Sequence, residues 1–83
     1  MTYSVVNLAD DRCVFKHKEF DRYYARDRWC DDPHLEMFEA DDLSEAYNVL
    51  KATKAHWAGI NRDAWRIVDG RGEVQNGRSN RDG

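Results

Sequence analysis

Residues Trp29 to Lys51 read Trp-Cys-Asp-Asp-Pro-His-Leu-Glu-Met-Phe-Glu-Ala-Asp-Asp-Leu-Ser-Glu-Ala-Tyr-Asn-Val-Leu-Lys, and the fold turns on this stretch. Asp31-Asp32-Pro33 predicts a turn, because Pro33 fixes its own φ and holds Asp32 extended. Leu35 to Glu39 then sets Leu35 and Met37 against Glu36 and Phe38, the alternation of a strand leading into a helix. Asp42 is the natural N-cap, since its carboxylate can accept free backbone N–H groups, and Glu45 follows three residues later as in a capping box. Leu43, Ala46, Tyr47 and Leu50, continued by Lys54 or Trp57, fall at helical spacing and predict one apolar stripe. Gly59 is the expected stop.

The same stretch carries the main electrostatic signal. Asp31, Asp32, Glu36, Glu39, Asp41, Asp42 and Glu45 are seven carboxylates, with no Lys or Arg among residues 31 to 45. Before them, residues 12 to 28 hold six basic groups (Arg12, Lys16, Lys18, Arg22, Arg26, Arg28) against three acids. Residues 51 to 81 are again mildly basic, so the net charge of −3 conceals a plus–minus–plus layout.

Outward from this centre, Thr2 to Leu8 is short and rich in β-branched and aromatic residues, which predicts a strand. Ala9-Asp10-Asp11-Arg12 is a polar turn, and Cys13 to Lys18 a second strand, so the chain opens with a hairpin. Glu19 to Arg28 mixes helical spacing of Phe20, Tyr23 and Tyr24 with a Tyr-rich character, and reads as an irregular or strand-like excursion. After the helix, Ala64 to Val68 is a strand with Trp65 and Ile67 on one face. Asp69-Gly70-Arg71-Gly72 is a turn, and Glu73 to Gln75 a short return. Residues 76 to 83 contain no large apolar side chain and read as a disordered tail behind a single domain over residues 1–75. The expected fold is α+β: a small antiparallel sheet of three or four strands with one helix across one face.

The chain has 83 residues, and no apolar run approaches the ~20 a membrane span needs. The N-terminus lacks the charged and apolar regions of a signal peptide, so a cytoplasmic location is expected. In that compartment Cys13 and Cys30 are expected as free thiols, with a bridge between them as the minor reading.

Three constellations could carry function. The acidic block can be read as helix and turn chemistry, which accounts for Asp31, Asp32, Asp41, Asp42 and Glu45. It can also be read as a negative surface that engages a basic partner, where complementary charge speeds encounter and suppresses wrong partners. On that reading Asp31, Asp32, Glu36 and Glu39 face the partner beside Trp29 as aromatic anchor, with Asp41, Asp42 and Glu45 extending the surface. The second constellation is Arg22-Tyr23-Tyr24-Ala25-Arg26-Asp27-Arg28-Trp29, in which Arg can meet phosphate while Tyr or Trp stacks on a base. Its plain reading is that the aromatics pack the sheet and the Arg residues shield its edges. The third pairs Cys13-x-x-x-His17 with Cys30-x-x-x-His34, a legitimate zinc ligand set. On a strand, residues four apart sit roughly 13 Å from each other and cannot chelate one ion.

No Ser-His-Asp arrangement, phosphate-binding glycine loop or His-Glu-x-x-His motif occurs. Cys30 beside Asp31 and Asp32 is a poor nucleophile. The expectation is a non-enzyme without cofactor or metal.

The layout of a Tyr3-Ser-Val-Val strand, the Leu35-Glu-Met-Phe-Glu-Ala-Asp-Asp-Leu-Ser-Glu-Ala run into an acidic helix start, and a closing Trp65-Arg-Ile-Val-Asp-Gly-Arg-Gly-Glu-Val resembles small phage and mobile-element proteins of the anti-CRISPR type. That class includes inhibitors that occupy nucleic-acid sites on host effectors with acidic surfaces. The resemblance implies a non-enzymatic inhibitor in the host cytoplasm, with a nucleic-acid-handling host protein as partner. A nucleic-acid-binding module and a zinc-stabilised structural module are the alternatives, and a homodimer through the sheet face opposite the helix is compatible with each.

Overall fold

The computed structural model describes residues 2–57 and 61–75. Six strands and one α-helix follow in the order β1 (Tyr3–Asn7), β2 (Arg12–His17), β3 (Tyr23–Asp27), β4 (Leu35–Met37), α1 (Leu43–His56), β5 (Trp65–Asp69) and β6 (Val74–Gln75), with a single 3-10 turn at Arg62–Ala64 before β5. The sheet is antiparallel, ordered β3-β2-β1-β5-β6, with β4 paired to β2. This is the α+β class read from the sequence, but the sheet has six strands where three or four were expected. The additional strands come from the excursion over residues 19–28, which contains a regular strand, and from the short return after Gly72. Gly59 and residues 76–83, expected as helix stop and tail, lie outside the described residues.

The opening hairpin forms, yet β1 and β2 pair only at Val6 with Cys13 and Asn7 with Arg12. Beyond Cys13 the two strands separate, and the segment from Leu35 to Ala40 fills the fork. β4 pairs Phe15 with Met37, Lys16 with Glu36 and His17 with Leu35. The Phe38 N–H then donates to the Val14 carbonyl at 2.9 Å, and Ala40 exchanges backbone bonds with Tyr3 at 2.8 and 2.9 Å. The expected strand over Leu35–Glu39 is therefore shorter, ending at Met37 where the chain changes from the edge of β2 to that of β1. β1 pairs along its whole length with β5, from Tyr3 with Asp69 to Asn7 with Trp65.

Opposed residues in antiparallel strands share a face. Val5, Val14, Ala25, Trp65 and Ile67 project to one side, where they join Phe38, Ala40, Ala46 and Val49 in the core. Trp65 and Ile67 share a face as expected. The helix stripe differs from the expectation in its centre. Its buried residues are Ala46, Val49 and Thr53, while Leu43, Tyr47, Leu50 and Trp57 flank the core at partial exposure. Thr53 can sit in the centre because its hydroxyl donates to the Val49 carbonyl at 2.7 Å, which satisfies its own polar group on burial.

Both ends of α1 follow from local chemistry. Asp42 is extended and its carboxylate accepts the Glu45 N–H at 2.8 Å. At the other end the Trp57 N–H donates to the Thr53 carbonyl, and Lys54 and His56 occupy the last turn, where the helix dipole favours positive charge.

β3 and β4 lie on opposite edges of β2 and both run antiparallel to it. They are therefore parallel to each other, and residues 28–34 must return along β2 and cross one of its faces. Arg28 lies beside Cys13, and the His34 ring stacks on His17 with centroids 6.0 Å apart and planes 8° from parallel. Cys13 and His17 both project away from the helix, so the crossover runs over that face. Cys13 and Phe15 are buried there at 4% and 5% exposure.

Candidate functional site

All seven carboxylates of the acidic block are exposed. The ion pairs among the described residues are Arg28 with Asp11 and Arg71 with Asp69 and Glu73, so none involves the block. Two of the seven have a backbone role as well: Asp42 caps α1, and Asp32 accepts the His34 N–H at 2.8 Å in the turn before β4. The Asp42 cap and the turn at Asp32 were expected from the sequence, the Asp32 carboxylate as acceptor within that turn was not, and neither role buries the carboxylate.

The fold divides the block into two groups. Asp31 and Asp32 ride on the crossover with Trp29, which is 72% exposed. Trp29 stands at the Arg12 end of β2, where Arg28 is held by Asp11 at 3.5 Å. Glu36, Glu39 and Glu45 gather instead on the helix side. With Lys16, Tyr23, Met37 and Phe38 they line a depression of about 400 Å³. The register explains the gathering: Glu36 is opposite Lys16, which is opposite Tyr23. Glu45 enters from the first turn of α1. Asp41 lies between Ala40, which bridges to β1, and the cap residue Asp42.

The floor of this depression is aromatic. Tyr23 meets Phe38 edge to face with centroids 5.6 Å apart. Burial pushes the Tyr23 phenol up from its ordinary value, and the carboxylates of Asp21 and Glu45 push in the same direction. A site with three carboxylates, one ammonium and an aromatic floor can receive an extended basic side chain, by charge at its rim and by stacking at its base. Lys16, Met37 and Phe38 were not assigned to a site from the sequence, and Tyr23 was read there only as part of the basic-aromatic run. The signal that finds them is the β2–β4 register, which joins residues 20 apart.

The basic-aromatic run is split by strand alternation. Tyr23 turns to the helix side, while Tyr24 and Arg26 turn to the other, where the Arg26 guanidinium lies 5.0 Å from the Tyr24 ring centre. Arg28 lies 5.6 Å from the Trp29 ring centre. Arg22, at the β2–β3 turn, uses its carbonyl to accept the His17 N–H.

Cys13 and Cys30 are both free thiols, the first buried and the second partly so. Burial raises the Cys13 pKa and Arg28 opposes that rise, while Asp11 and Asp27 add to it. His17 and His34 are brought together by stacking, but His17 Nδ1 already accepts the backbone N–H groups of Glu19 and Phe20. Among the described residues no three His, Cys, Asp or Glu side chains converge as a ligand set. No helix among them is long and apolar enough to cross a membrane.

Comparison of the chain with protein-family models, with curated proteins and with solved structures finds no match.

Proposed function

We propose that this chain is a small non-enzymatic binding module, acting by stoichiometric contact as an inhibitor of a nucleic-acid-handling host protein in the manner of the anti-CRISPR class. One observation carries the reading. Seven exposed carboxylates cluster within fifteen residues, and none is in an ion pair among the described residues. Ordinary surfaces intersperse charges of both signs, and a one-sign field of this kind serves steering toward a positive partner. The depression bounded by Glu36, Glu39 and Glu45 is the anchoring point, and Trp29, Asp31 and Asp32, carried by the crossover on the opposite face of the sheet, form a second, separate contact.

A second reading rests on the Arg26–Tyr24 stack, which presents a cation and a π-face together on the side away from the helix. That pairing suits a phosphate and a base. A tagged pull-down from bacterial lysate, with and without nuclease, separates the two. A discrete protein that survives nuclease treatment supports the inhibitor reading. Recovery that vanishes with nuclease overturns it in favour of Arg22, Tyr24, Arg26 and Arg28.

A further inference from the structure

β3 is the outermost strand of the sheet, and the direction of its backbone groups follows from its pairing with β2. The Arg22 carbonyl accepts the His17 N–H, and the Arg28 N–H donates to the Asp11 carbonyl. In an antiparallel ladder the bonded residues alternate. Tyr24 and Arg26 therefore bond to β2, while Tyr23, Ala25 and Asp27 turn their N–H and C=O groups away from it. Two contacts agree with this. Val14, opposite Ala25, gives its carbonyl to Phe38 on the other edge. The outward Ala25 carbonyl accepts from the Arg26 guanidinium of its own strand at 3.1 Å.

We infer that β3 pairs edge to edge with β3 of a second copy of this chain, antiparallel about a two-fold axis at Ala25. Such an axis is perpendicular to the sheet and keeps both helices on one side, which restricts the register to pairs of residues on the same face. With Ala25 opposite the second copy's Ala25, the outward groups of Tyr23, Ala25 and Asp27 meet in hydrogen-bonding register, the Asp27 carbonyl taking the incoming N–H on its second lone pair beside the Cys30 N–H it already accepts at 2.9 Å. Tyr23 then stands opposite Asp27, and Tyr24 opposite Arg26. The second pairing is chemically matched, since Arg26 already lies over a Tyr24 ring within its own chain. On association the guanidinium leaves the Ala25 carbonyl to the incoming N–H and moves to the facing tyrosine.

Shifting the register by two residues in one direction sets Arg22 against Arg26 and Asp21 against Asp27. The opposite shift places Arg26 against itself. Like charges opposite each other disfavour both shifts. In the chosen register Arg22 faces Arg28, and Asp11, 3.5 Å from Arg28, offsets that repulsion. A contact of five residues per strand buries far less than the roughly 1,000 Å² of a stable interface, so the association is weak and concentration-dependent. Strand addition of this kind draws its affinity from main-chain bonds and its selectivity from side-chain pairing.

The test uses the whole chain in sedimentation equilibrium from micromolar to millimolar concentration, with Asp27→Pro and Asp27→Asn. Proline at 27 removes an outward N–H and leaves the β2 ladder intact, whereas Asn keeps the N–H and removes the charge. Self-association in wild type and Asp27→Asn, weakened at least tenfold in Asp27→Pro, is expected. Amide exchange on the wild type provides a second measurement independent of any variant. Protection at Tyr23, Ala25 and Asp27 is expected to rise with protein concentration. A chain that stays monomeric to millimolar concentration overturns the inference. So does an association that leaves those three amides unprotected.

Discussion

The carboxylate of Asp69 accepts the backbone N–H of Glu73 at 3.0 Å. It also accepts the Arg71 N–H at 2.9 Å and the Gln75 side-chain amide at 3.1 Å, and so holds the β5–β6 turn from within. The residue is buried, and the turn closes where Gly72, at φ +83°, takes a conformation other residues rarely adopt.

The bond from Glu73 does most to lower the Asp69 pKa. Burial works against it, and the Arg71 N–H and guanidinium add to the lowering. A lowered pKa in the folded state means the stabilisation is fully present above the unfolded value, about 3.9, and is lost as pH falls through the folded value. Asp69→Asn is expected to lower Tm at neutral pH and to flatten the decline of Tm below about pH 4. Thermal melts of both proteins across pH 2 to 7 check this. An acid decline of the same steepness in the variant would refute it.

Asp42 and Glu45 set the start of the helix. Replacing Asp42 by Ala is expected to cost about 1 kcal/mol by urea denaturation, and replacing it by Asn much less, since Asn retains an acceptor for the Glu45 N–H. Equal losses in the two variants would place the effect in charge rather than in the cap.

Phe38 occupies the fork between β1 and β2 and is 3% exposed. Phe38→Ala is expected to cost about 3–5 kcal/mol, which is a large share of the stability of a domain this small. Chemical denaturation measures the loss. A loss under about 1 kcal/mol would mean that the fork closes without the ring.

Glu36 and Glu39 are exposed and have no capping role, so Glu36→Lys with Glu39→Lys is expected to keep the fold and to lower the melting temperature only modestly, through the like charge set opposite Lys16. Against the protein recovered by pull-down, the same pair is expected to weaken binding at least tenfold, mainly by slowing association. Kinetic binding at two salt concentrations checks the charge origin, since the wild-type rate should fall more steeply with salt than the variant rate. Unchanged affinity would remove the acidic depression from the contact.

The two thiols should differ in reactivity. Cys13 is buried with its pKa raised, while Cys30 is partly exposed. An aromatic disulfide reagent at pH 8 is expected to label one thiol per chain quickly and the second only on unfolding. Rapid labelling of both in the native state would contradict the burial of Cys13.

Local chemistry was readable from the sequence wherever it acts within a few residues. The Asp42 cap, the Asp32 turn before β4, the opening hairpin and the shared face of Trp65 and Ile67 depend on spacings of two to four positions or on one tight turn. The helix stripe was only partly readable, because Thr53 becomes a core residue through a hydrogen bond to Val49 that no hydropathy pattern records. The excursion over residues 19–28 was ambiguous for a related reason. Its aromatics suit either a helix or a strand until β2 supplies a partner for Tyr24 and Arg26.

Which distant residues meet is written in no local stretch of the chain. The carboxylate run was visible as a run, but its division between the crossover and the helix-side depression depends on β4 entering the fork beside β2. That entry pairs Lys16 with Glu36 and brings Glu45 and Tyr23 to the same hollow. Strand pairing between segments far apart in the chain is selected by the packing of the whole sheet, through Phe38 over Val14 and Ala40 against Tyr3. A short stretch of sequence contains its own capping and turn preferences, but it does not contain the partner that decides its face.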